Sequence, residues 1–185
     1  IFTGSDGLRY EKPADGRGEA VCIEDEIPFE IPETWAWFRF SSCVRQLSTG
    51  SSNVKTRQLL EKGDYPVVSQ SASLIDGYYS GSEVKPIQSL PVLLFGDHTR
   101  MVKYIDFPFI VGADGTKCFN AIEANSRYMI LMMLYASEKL RNRGYARHYS
   151  ILKNYLLPMP PLAEQARIVA KFDKLAYLIT NLQPR

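Results

Sequence analysis

Two groups of prolines constrain this chain more than any other feature. Pro28 and Pro32 bracket the segment IPFEIPETWAW, and Pro158, Pro160 and Pro161 close a stretch far downstream. A proline fixes its own φ, lacks an N–H and pushes its predecessor toward extended geometry, so no helix runs through the first group. The two fences delimit a unit of residues 31–160, near the usual single-domain size of roughly 100 to 150 residues. Residues 1–30, rich in Gly, Asp and Glu and without a sustained period, read as a connector. Ile1 is an unusual start, and IFTGSDGLRYEK has neither the charged head nor the apolar core of a signal peptide. A piece of a longer, cytoplasmic protein is therefore expected.

Inside the fences the pattern is first that of strands. Trp35, Trp37 and Phe38 are expected to pack the lead-in onto the core, since aromatic rings bury large areas. LSTGSSNVKTR forms a small-residue loop. Tyr65–Gln70 reads as a strand, followed by a turn in which Asp76-Gly77 supplies a positive φ. Leu90–Phe95 is an apolar run of strand length closed by Gly96 and Asp97-His98-Thr99-Arg100; Met101–Ile105 alternates as a further strand. Phe107–Val111 and an Asp114-Gly115 turn lead to a strand over Thr116–Asn120. The period then lengthens. Asn125 or Ser126 caps a helix apolar on all sides, ending near Arg143 with Gly144 past its end. A basic, aromatic loop and a strand over Ile151–Leu157 follow. From Leu162 onward Ile168, Phe172, Leu175, Ile179 and Leu182 alternate in steps of four and three. That is the seam of a coiled-coil arm or the apolar face of an amphipathic helix packed on its own domain. Pro161 suits the first turn, and Glu164 the positive end of the helix dipole.

Composition sets further bounds. Apolar residues make up 45% and charged residues 23%, values of a folded globular chain. The densest apolar run, Tyr128–Tyr135, falls far short of the ~18 residues that span a bilayer, so no membrane is expected. Cys22, Cys43 and Cys118 are odd in number and form no CxxC pair, which supports neither a disulfide framework nor a zinc knuckle. The net charge of +2 hides an asymmetry: residues 1–40 hold nine acids against four bases, and the rest eleven against eighteen. Lys139–Lys153 carries Lys139, Arg141, Arg143, Arg147, His148 and Lys153 without a carboxylate, which points to an anionic partner.

Catalytic motifs are few. There is no glycine-rich cofactor turn, no Asn/Asp-Pro-Pro-aromatic tetrapeptide and no phosphate loop. Asp76 followed by Glu83 and Lys85 matches the loose spacing of a metal-dependent nuclease core, with two carboxylates for Mg²⁺ and a lysine beside the attacking water. Pro86 interrupts the strand such a site needs. Two histidines without a nucleophile elbow make no hydrolase site. Basic residues interleaved with aromatics, amides and hydroxyls fit nucleic acid better: Arg, Gln and Asn read base edges, whereas Lys, Ser, Thr and Tyr hold phosphates. The DNA-binding candidates are Lys55, Arg57, Gln70, His98, Thr99, Arg100, Arg141, Arg143, Tyr145, Arg147 and His148, with Ser69 beside them. No catalytic residue and no metal ligand is assigned. A pure protein-interaction module acting through the C-terminal helix is the remaining alternative.

Several stretches together resemble the specificity subunits of type I restriction-modification systems. They are IPFEIPETW (residues 27–35), YPVVSQ (65–70) with Gly77-Tyr78, FGDHTR (95–100), GADG (112–115), GYARHY (144–149) and PMPPLAEQARI (158–168). Their order is collinear and covers about residues 27–182. The resemblance implies an α/β (mixed α+β) target-recognition domain with a twisted mixed sheet and packed helices, followed by a coiled-coil-type spacer helix over 161–185. It implies duplex DNA as ligand and no cofactor in this chain, with S-adenosylmethionine on a partner methyltransferase subunit. Restriction subunits and a second recognition domain, or a second copy of the chain, are the other implied partners. Motifs shared by proteins that read different sequences are framework, which shifts base reading toward the loops Ser48–Arg57 and Tyr79–Gln88.

Overall fold

The computed structural model describes residues 1–13, 16–50, 52–112, 115–140 and 147–182. Strands β1 (Phe2–Thr3), β2 (Arg9–Glu11) and β3 (Val21–Cys22) come first, then β4 (Ala36–Arg39), the single turn α1 (Phe40–Cys43) and β5 (Val44–Gln46). Next are β6 (Asn53–Val54), β7 (Tyr65–Val68), β8 (Gly77–Tyr79), β9 (Val92–Gly96), β10 (Val102–Ile105), β11 (Ile110–Gly112) and β12 (Thr116–Ala121). Helix α2 (Ser126–Lys139), the turn α3 (Tyr149–Leu152), β13 (Leu156–Met159) and the long helix α4 (Leu162–Leu182) follow.

Two four-stranded sheets form the body. One is antiparallel, in the order β10-β9-β12-β5; the other is mixed, in the order β6-β11-β7-β8, with β11 parallel to both β6 and β7. Successive strand residues point to opposite faces, and β9 uses both. Leu93 and Phe95 pack with Phe40, Phe119, Met129, Met133 and Leu157 under α2, whereas Val92 and Leu94 pack with Val68, Ile105, Phe109 and Val111 toward the mixed sheet. A strand buried on both faces reads as an unbroken apolar run, which is why VLLF lacks alternation. Asn125 caps α2, its side chain accepting from the backbone N–H groups of Arg127 (2.9 Å) and Tyr128 (3.2 Å).

Several expectations change. Gly77 is not a positive-φ turn residue but the first residue of β8, paired with Val67. A Cβ there would meet the Leu60 carbonyl oxygen at 3.1 Å, so close backbone approach calls for the glycine. Gly115 does take a positive φ, +82°. Helix α2 stops at Lys139, ahead of Arg143, and Leu140 turns extended. The segment Ile151–Leu157 divides between α3 and β13. Trp37 is buried with Phe29 edge-on against it at 5.2 Å, but Phe38 alternates outward and stays exposed.

The first thirty residues are more than a connector. β1, β2 and β3 form a small antiparallel sheet, too short in each strand for a period to show in sequence. Arg9 pairs with Glu24 and Glu30, and Ile23 docks on Trp37 and Leu156. Arg39 of β4 donates to Glu11, to Glu26 (2.6 Å) and to the Asn154 carbonyl (2.7 Å). The two carboxylates hold the guanidinium above its ordinary pKa, and Arg39 in turn lowers that of Glu11. Much of the acidic head is thus spent on internal pairing. Arg39→Met is expected to cost about 1–2 kcal/mol, concentrated in residues 1–30, because two carboxylates and one carbonyl lose a charged donor. Hydrogen exchange should accelerate in β2 and β3 before it does in β9; equal acceleration in both would contradict the local clamp.

Candidate nucleic-acid interface

The sequence candidates separate into an exposed set and a set hydrogen-bonded within the domain, of which His148 alone is buried. Lys55 and Arg57 are exposed, the first capping and the second inside a 3-10 turn over Thr56–Gln58, where Gln58 Oε1 accepts from the Lys55 N–H at 2.9 Å. Arg147 is exposed ahead of α3. Arg141, Arg143 and Tyr145 lie outside the described residues.

The remaining candidates form a junction under the β9–β10 turn. Gln70 Oε1 accepts from the His98 N–H at 3.1 Å, and Thr99 Oγ1 donates to the Gln70 carbonyl at 2.8 Å. A Cβ on Gly96 would strike Thr99 Oγ1 at 2.2 Å, and one on Gly115 would strike His98 Cδ2 at 2.7 Å. These glycines let the turn close on Gln70. Arg100 sits at φ 59°, and its guanidinium donates to the Leu140 (2.8 Å) and Ser137 (3.3 Å) carbonyls. A cation on the last carbonyls of a helix complements its dipole, so Arg100 ends α2 where the sequence offered Gly144.

His148 is corrected from DNA contact to framework. It is 0% exposed, its N–H and Nδ1 both lie on the Asp97 carbonyl (2.9 and 3.0 Å), and Asp97 Oδ1 accepts from the Tyr149 N–H at 2.8 Å. A side chain without solvent access cannot meet a phosphate. Asp97 of FGDHTR and His148-Tyr149 of GYARHY therefore meet in one internal joint.

The nuclease alternative finds no support. Asp76 accepts from Ser71 Oγ and Glu83 accepts from Tyr79 O–H at 2.9 Å, and among the described residues no three His, Cys, Asp or Glu side chains gather as metal ligands. Lys103 is the polar residue that sequence reasoning missed. It is buried, with Nζ donating to the Ser69 (2.7 Å) and Ser73 carbonyls. Its parity with Ile105 on β10 was the available signal.

Among the described residues the hydrogen bonds and the ion pair between α4 and the domain fall between its base and Asp173. Gln165, 2% exposed, accepts from the Asn125 N–H and donates to the Pro160 carbonyl, both at 2.8 Å. Arg127 pairs with Asp173 at 2.6 Å. Ile168 is half-buried, but Phe172, Leu175 and Ile179 are 49%, 58% and 63% exposed, so the domain leaves most of the seam uncovered. The side chain of Leu182 lies outside the described residues. Among the described residues no helix is long and apolar enough to cross a membrane.

The described residues thus form a mixed α/β domain followed by a helix whose apolar seam is largely uncovered. The chain belongs to the family of the type I restriction modification DNA specificity domain, whose model matches residues 32–184. It is 25% identical over 186 residues to the type I restriction enzyme EcoEI specificity subunit of Escherichia coli, covering 86% of this chain and 31% of that protein. Its fold is similar to that of the HsdS subunit from Thermoanaerobacter tengcongensis (TM-score 0.64, 16% identity, 84% of this chain and 41% of that one). It is also similar to the type I system S subunit of M. genitalium (TM-score 0.62, 13% identity, 83% and 42%). The chain thus spans about a third of that curated relative and about two-fifths of those solved chains.

Proposed function

We propose that this chain reads one half of a bipartite duplex DNA site as a recognition domain of a type I specificity subunit. The observation that carries this reading is the family match, which runs through the whole domain and into α4. The chain recognises and carries out no chemistry; it needs no cofactor, and S-adenosylmethionine belongs to a methyltransferase subunit that docks on the assembled protein. Restriction subunits join for cleavage. A second recognition domain, or a second copy of this chain, supplies the other half-site and a partner for α4.

On this reading Lys55, Arg57 and Arg147 hold phosphates. Each neutralised phosphate releases condensed counterions, giving a slope of about −0.9 in log K against log salt concentration. Lys55→Ala and Arg57→Ala should each reduce the slope by about one and weaken matched and unmatched duplexes alike. Titrations at several salt concentrations check this. An unchanged slope in both variants would remove the β6 loop from the interface, and indifference of the parent protein to duplex sequence would reject the recognition role.

A further inference from the structure

Between the β6 loop and the β7–β8 connection lies a cleft of about 280 Å³. Val54, Ser69 and Gly112 are its buried walls, and Thr56, Ser71 and Asp76 its more accessible ones. Asp76 and Leu59 also line a second depression with Ile75 and Tyr78, so Asp76 stands on the partition between two hollows instead of at the bottom of one. Its setting is rigid. The Asp76 N–H donates to the Val67 carbonyl at 2.9 Å, Ser71 Oγ donates to Oδ1, and the Ser71 N–H donates to Ser69 Oγ at 3.3 Å. Lys103 pins the same loop from below through the Ser69 and Ser73 carbonyls. Oδ2 lies 3.9 Å from where a Cβ on Gly112 would stand, a position that Val67 Cγ1 already crowds at 2.8 Å, so the glycine lets β11 pass close beneath the loop.

We propose that Asp76 is a base-specificity residue, its carboxylate accepting a hydrogen bond from the exocyclic amino group of adenine or cytosine presented in the major groove. The inference rests on the DNA-recognition reading above. A carboxylate only accepts, so it selects an amino group and repels the carbonyl edges of guanine and thymine, and phosphate as well. A lone carboxylate would also oppose the approach of a polyanion. Lys103 answers that objection: its buried ammonium lies close enough to Asp76 for mutual attraction, which works against the lowering of its pKa by burial. Exposed Lys55 and Arg57 flank Thr56 on the facing wall, placing phosphate-binding charge on the rim and a pure acceptor inside it. Amides and hydroxyls donate as well as accept, so among the cleft's side chains Asp76 alone discriminates by charge.

The experiment is selection of bound duplexes from a randomised pool by the full chain, its Asp76→Asn variant and its Thr56→Val variant, with circular dichroism to establish folding. The wild type should show adenine or cytosine at one position. In Asp76→Asn that preference should change by roughly 10- to 100-fold while all other positions hold. Thr56→Val, at an exposed site, should perturb the same position by a smaller factor and serves if the first variant fails to fold. Unchanged preferences in the folded variants, or a uniform loss over all sequences, would overturn the assignment to Asp76 and leave the recognition role standing. A wild-type chain that selects no sequence would overturn both.

Discussion

Replacing His148 by alanine should lower the stability of the domain by about 2–4 kcal/mol, the range for emptying a filled interior site while losing a buried hydrogen bond. The ring is wholly enclosed, and its Nδ1 lies 3.0 Å from the Asp97 carbonyl. Asp97 is itself 3% exposed and is tied to Gly115 by its N–H (2.8 Å) and to Tyr149 by Oδ1. The His148 carbonyl in turn accepts from the N–H groups of Ile151 and Leu152, which start α3. Removing the imidazole therefore loosens three chain segments at once: the end of β9, the start of β12 and the run into β13. A fall in the denaturation midpoint, with the slope against denaturant unchanged, would register the loss. DNA binding by the protein that remains folded should keep its salt slope. A reduced slope with undiminished stability would return His148 to the interface.

The buried histidine shows where the sequence was informative and where it was not. GYARHY is basic and aromatic, and composition alone cannot tell a phosphate grip from a packed joint, because both use a histidine hydrogen-bonded to oxygen. Only the position of Asp97, some fifty residues away in the chain, decides between them. Strands were legible wherever burial gives an unbroken or alternating run, as in VLLF and in β10, and the capping of α2 by Asn125 was legible from local chemistry. The end of α2 was not, since a distant arginine supplies the cap. The ordered sheet over the first thirty residues was equally hidden: its strands are two or three residues long, and its hold on the domain combines Arg39 meeting Glu11 and Glu26 with Ile23 docked on Trp37 and Leu156. Residue type alone did not separate the DNA-binding candidates that are exposed from those engaged within the domain. Lys55 and Arg57 stay outside, while Gln70, Arg100 and His148 bind their own backbone.

The seam of α4 offers the second large effect, and it should appear in assembly alone. Phe172, Leu175 and Ile179 are each about half exposed or more, so changing all three to glutamate removes little from the domain's own packing; its stability should move by less than about 0.5 kcal/mol per site. In a paired helix the same side chains would be buried, each worth about 1.5–3 kcal/mol on full burial, and a carboxylate in their place must be desolvated as well. On the proposed pairing of α4, the triple variant should therefore bind the second helix at least roughly a thousandfold more weakly, since each 1.4 kcal/mol is a factor of ten. Sedimentation of the full specificity protein with and without the substitutions measures this, and thermal unfolding of the domain supplies the control. The base of the helix should stay in place, because Gln165 bridges Asn125 and Pro160 independently of the seam. If the variant assembled normally, the seam would not be the contact surface. If the domain melted instead, the helix would be folding back onto its own core, the arrangement that the exposed faces of Leu175 and Ile179 argue against.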